Sequence, residues 1–159
     1  MRLLILLLLF AGVISCAQQS SPPDELRADA EFRIDGTLDF VDSTGNVIRT
    51  IEIEVADDEA SIQTGLMYRR QMSLGQGMLF LFSDPDTLSF WMANTPIPLD
   101  IMFVDADSNI VNIAKRTKPL SRESVVAKGL AQYVVEVRGG FSDRFGIDES
   151  VSVRWKLSP

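Results

Sequence analysis

The strongest constraint on the fold is alternation with a period of two. In "VIRTIEIEV" (47–55), Ile51, Ile53 and Val55 share one face while Glu52 and Glu54 share the other, the pattern of a half-buried strand. "FRIDGTLDF" (32–40) precedes it across the polar connection "VDSTGN", so the two runs predict a β-hairpin. Further strand-like runs follow at 77–82, 88–94, 99–105, 109–116, 131–137 and 151–157, separated by turn signals. Only "DDEASIQTGLMYRR" has helical character. It has an Asp in position to cap, acids in the first turn, Ile62 and Leu66 four apart, and Arg69 and Arg70 at the far end. A helix over about 58–68 is expected, with a shorter helical turn near "GFSDRFG". The fold class that follows is mainly β: a single compact β-rich barrel or sandwich-like domain with one or two short helices.

The first fifteen residues stand outside that domain. Arg2 followed by an apolar stretch from Leu3 to Ile14 is shorter than the roughly 20 residues of a membrane span and suits a secretory signal. "VISC" (13–16) has the form of a lipobox, predicting a lipoprotein signal over 1–15 and acylation of Cys16, the one cysteine in the chain. Residues 16–30, polar and proline-containing, read as a flexible tether, which leaves 31–159 as the β-rich domain. The expected partner is a membrane, reached through the lipid, at the outer membrane or the outer face of the plasma membrane. After loss of Arg2, 14 Lys and Arg face 22 Asp and Glu. Such an acidic domain argues against nucleic acid as a partner.

What the chain lacks narrows its chemistry. It contains no histidine, no second cysteine, no phosphate-binding glycine loop and no G-x-S-x-G elbow. Catalytic triads, thiol catalysis and the commonest zinc ligands are therefore excluded. "DADSN" (105–109) starts like a calcium loop, but Ile110 stands where glycine is needed and Arg116 where glutamate is needed, so a polar turn is expected. No resident cofactor or metal is implied.

The richest stretch is "SFWMANTPIPLD" (89–100). Pro96 and Pro98 cannot donate to a sheet ladder, so 95–98 is expected to leave the strand and present polar groups. Together with "GLMYRR" (65–70), "GMLFLF" (77–82), "IMFVDADSNIVNIA" and "YVVEV", this stretch resembles the blocks of domain-of-unknown-function family 192. The resemblance covers about residues 50–155 and implies a compact β-rich fold with no established activity. Ala93 is a departure, since members often carry Lys there.

Two readings of these residues stand side by side. In one they are structural: Arg69 or Arg70 pairs with Asp100 or Glu136, and Asn94 and Thr95 tie down the proline loop. In the other they edge a pocket, with Trp91 a stacking wall, Arg69 a clamp, and Asn94, Thr95, Asp100 and Glu136 orienting groups for an envelope sugar or peptide. The expected function is a non-catalytic small-ligand or partner-binding domain. The alternatives are a glycoside hydrolase using Asp100 and Glu136, whose carboxyls would lie roughly 5–10 Å apart, and a purely structural envelope protein.

Overall fold

The computed structural model describes residues 31–159, so the signal, Cys16 and the tether lie outside the described residues. Strands β1 (Gly36–Val41) and β2 (Val47–Ala56) form the expected hairpin, paired from Gly36–Ile53 to Val41–Val47. Its turn is built by Asp42, whose Oδ1 accepts the N–H groups of Thr44 and Asn46. Helix α1 (Glu59–Thr64) follows, and β3 (Gln76–Asp86) then runs parallel to β2. The remaining elements are β4 (Ser89–Phe90), β5 (Leu99–Val104), β6 (Ile110–Ala114), β7 (Val125–Val126), β8 (Ala131–Arg138), α2 (Phe141–Phe145) and β9 (Ser152–Leu157).

Seven of the strands make one sheet in the order β6-β5-β8-β3-β2-β1-β9, and β4 pairs with β7 in a second, small sheet. The long sheet curls until its edges touch at one end, where Asn109 and Ser152 bridge, but it does not close. The architecture is mainly β and sandwich-like.

Alternation along the strands divides the apolar residues between two cores, one on each face. The first holds Leu38, Ile53, Leu79, Met102 and Val135, capped by Phe141 of α2. The second holds Ala56, Met78, Phe80, Ile101, Phe103 and Val134. Over it lie Leu66 and Met72 from the β2–β3 crossover and Met92 from the proline stretch.

The local signals set most element ends. Asp58 caps α1 by accepting from Ala60 and Ser61, and Ser61 returns the bond to the Asp58 N–H. The helix stops at Thr64 instead of continuing to 68. Gly65 has φ +45° and Tyr68 φ +66°, neither compatible with a helix, and a Cβ on Gly65 would come within 3.2 Å of the Phe80 ring. The strand expected over 88–94 is only two residues long. From Met92 onward the backbone bonds to a loop, with the Met92 N–H donating to Ser121 and the Asn94 carbonyl accepting from Tyr68. "DADSN" is a polar turn in which Asp105 Oδ1 accepts from Asp107 and Asn109.

Candidate functional site

A cavity of about 360 Å³ opens above the second face of the sheet. Phe80, Phe82 and Glu136 of β3 and β8 make its floor, and residues 62–67 of α1 and its exit turn make one wall. Leu88 to Trp91 with Thr95 make the other, and Ser124, itself exposed, completes the lining. The sequence places these walls there for simple reasons. In "GMLFLF" the period of two puts Met78, Phe80 and Phe82 on one face. The close approach allowed by Gly65 brings the α1 exit down onto Phe80. Phe90 meets Phe80 edge to face at 5.0 Å and Phe82 at 6.3 Å between centroids, so the aromatic side chains of the cavity pack on one another.

Glu136 is the only ionisable group among the described residues that line this cavity. It is 4% exposed, and its carboxyl has no hydrogen bond or ion pair among the described residues. Burial alone pushes its pKa up to about 8, because a charge in apolar surroundings loses its hydration without compensation. At neutral pH the side chain is therefore a neutral acid that can both donate and accept a hydrogen bond. Thr95 is also buried, and its hydroxyl has only a 3.5 Å contact to the Ala93 carbonyl. Trp91, 54% exposed, stands at the rim.

Of the six residues picked out in the sequence, Trp91, Thr95 and Glu136 line one cavity; Arg69, Asn94 and Asp100 do not. Arg69 Nη2 bonds both oxygens of Glu54 at 2.9 and 2.8 Å, and the Arg33 N–H donates to the same carboxylate. Arg69 thus neutralises a buried acid on β2, and it pairs with neither Asp100 nor Glu136. Asn94 is a backbone corner with φ +60°, its side chain 3.8 Å from the Met67 sulfur. The proline loop is held by its main chain and by Thr117, whose hydroxyl donates to the Leu99 carbonyl at 2.9 Å.

Asp100 belongs to the other face. Glu136 pairs with Ile101 and Asp100 with Val137, so alternation sends the two carboxyl groups to opposite sides of the sheet. Asp100 is fully buried and accepts the backbone N–H groups of Arg116 (2.7 Å), Gly140 (3.0 Å) and Ser142 (2.8 Å). Two-carboxylate glycoside hydrolysis needs both groups flanking one substrate, and these flank no common space. Sequence reasoning missed the phenylalanines as cavity walls. Their alternation in "GMLFLF" was the available signal, but nothing local placed them beside residue 136.

Comparison with known proteins agrees with the fold. No curated protein matches the chain. A solved structure from Sinorhizobium meliloti 1021, described as a "putative transcription regulator", is 28% identical with a TM-score of 0.74, covering 80% of this chain and 97% of that one. A protein of unknown function from Novosphingobium aromaticivorans DSM 12444 is 32% identical with a TM-score of 0.72, covering 81% and 96%. The family model DUF192, "Uncharacterized ACR", matches residues 40–155. With that match spanning most of the described domain, the chain belongs to the DUF192 family.

Proposed function

We propose that this domain is a non-catalytic binding module, held at the outer side of a membrane by lipid on Cys16, that takes a small apolar-bodied ligand into the cavity over β3 and β8. The observation carrying the reading is a buried carboxyl, without a partner among the described residues, at the floor of an aromatic cavity. Apolar walls with a few fixed polar groups are the usual composition of a small-ligand site. A buried polar group without a partner is costly in a folded protein, and a ligand that bonds to Glu136 removes that cost. Acid–base catalysis would require a second group on the same space, and among the described lining residues none besides Glu136 is ionisable. An aromatic or aliphatic side chain of an envelope peptide fits these walls better than a free sugar, whose many hydroxyls would need more polar partners.

The test is titration of the detergent-solubilised full chain with small alcohols, amides, envelope sugars and short peptides, read by calorimetry. Binding in the millimolar range or tighter is expected for apolar-bodied members. It should vanish in Ser124→Trp, which plugs the mouth from an exposed position and leaves the core intact. If no probe binds the unmodified chain, the reading fails. The anchor is tested separately. Cys16→Ser should abolish incorporation of labelled palmitate and release from membranes whatever chain is processed; unchanged labelling would refute lipidation at Cys16.

A further inference from the structure

We propose that the ligand of this cavity carries a cationic nitrogen, an ammonium on an apolar body, seated against the Glu136 carboxylate and the rings of Phe80, Phe82, Phe90 and Trp91. This rests on the cavity being a ligand site, and it adds the charge of what enters.

The argument is one of charge selection. Among the described residues no Lys or Arg lines the cavity, and the single ionisable lining group is an acid. An anionic ligand would lose its hydration there and meet a carboxyl with no cation to offset it. A cation meets the reverse. Four aromatic side chains line the cavity, and aromatic rings attract ammonium groups most strongly where water is excluded. The hydroxyls of Thr95, Ser89 and Ser124 can accept hydrogen bonds from an N–H. Ion pairing inside such a site is far stronger than in water.

Among the described residues, the surroundings of Glu136 hold no competing cation. Met78 on β3 and Ile101 on β5 are its direct cross-strand partners, and neither titrates. The next side chain in that row is Glu54 on β2, across from Met78, and its charge is already taken by Arg69. Asp100 lies on the opposite face under three backbone donors. From α1, β4 and the loops over the cavity come Gln63, Thr64, Ser89, Thr95 and Ser124, none of them charged. Glu136 is therefore the one group free to answer an incoming charge.

The binding step balances by releasing a proton. At neutral pH the free site holds a protonated Glu136. When the ammonium seats, the carboxyl gives its proton to solvent and the ion pair forms; no bond other than O–H breaks. Affinity for a cation must then rise with pH, approaching tenfold per unit between about pH 6 and 8, and level off above. A neutral hydrogen-bonding ligand shows the opposite trend, constant below pH 8 and weaker above it.

The experiment uses the detergent-solubilised full chain and two probes, benzyltrimethylammonium and benzyl alcohol, titrated by calorimetry at pH 6, 7 and 8. The expected result is that benzyltrimethylammonium binds with affinity rising roughly five- to tenfold per pH unit, and that at pH 7 binding releases close to one proton, measured from the dependence of the heat on buffer. Glu136→Gln should lose the cation at least tenfold while keeping benzyl alcohol, which also shows that the variant is folded. Binding of benzyl alcohol without the cation would overturn the charge assignment and leave the ligand site standing. Cation binding that ignores both pH and Glu136→Gln would overturn it as well. If neither probe binds, the ligand site itself falls, and this inference with it.

Discussion

Asp100→Ala should lower the stability of the domain by about 4 kcal/mol or more. The reason is local and countable. The carboxylate satisfies three main-chain donors from two separate segments, Arg116 after β6 and Gly140 and Ser142 at the start of α2. Ala would leave them facing a fully buried space, at about 1–3 kcal/mol for each donor left unpaired. Domains of this size have only about 5–15 kcal/mol in total. Asp100→Asn separates the hydrogen-bond account from a packing account. Its carbonyl can still accept from Arg116 and Gly140, but its amide must then point an N–H at the N–H of Ser142. An intermediate loss of about 1–3 kcal/mol is expected. Urea denaturation of the two variants decides the matter; a loss below about 1 kcal/mol in Asp100→Ala would refute this clasp.

The second large effect is a dependence of stability on pH that has the opposite sign to ordinary acid denaturation. Glu136 has its folded pKa raised from 4.5 to about 8 by burial. In the unfolded chain it ionises near the ordinary value. Between these values the folded state holds a proton that the unfolded state has lost, so stability falls as pH rises, by about 1.4 kcal/mol per unit. The contribution is complete below about pH 4.5 and spent above about pH 8, a change of about 3–4 kcal/mol between pH 5 and 8. Gln cannot ionise. The stability of the unmodified chain minus that of Glu136→Gln should therefore shrink by this amount across the range, as read by denaturant midpoints at each pH. A difference that stays flat would mean that Glu136 is ionised in the folded protein, and the neutral-acid floor of the cavity would be lost.

How legible was all this in the amino-acid sequence? The strands β1, β2, β5, β6, β8 and β9 fall close to where the alternation put them. Residues 47–55 and 131–137 carry their pattern within themselves. A capping Asp at the start of α1 was also legible, and it is Asp58, which pairs with Ser61. The overrun of that helix was a local misjudgement. Gly65 lies inside the expected span, but its positive φ ends the helix and its missing Cβ lets Phe80 approach. Strand β7 went unnoticed because two residues are too few to show a period.

The candidate site was half legible. Trp91, Thr95 and Glu136 carried enough chemical character to be picked out, but so did Arg69, Asn94 and Asp100, and nothing local told the two groups apart. Arg69 looked available because Glu54 lies 15 positions before it. Asp100 looked functional because the donors that use it lie 16 to 42 positions further on.

By itself, then, the order of residues determined which side chains share a face of each strand, where the first turn of the helix begins, and which catalytic chemistries are excluded by the absence of histidine. Those are properties of neighbours along the chain, set by backbone geometry over two to four positions. Only the tertiary structure decided that β8 lies between β3 and β5. That register sets Glu136 on the aromatic side and Asp100 on the other. Strand pairing across tens of residues is chosen by how well whole apolar faces bury together. Shifting β8 by a single residue would send Glu136 to the face that holds Asp100.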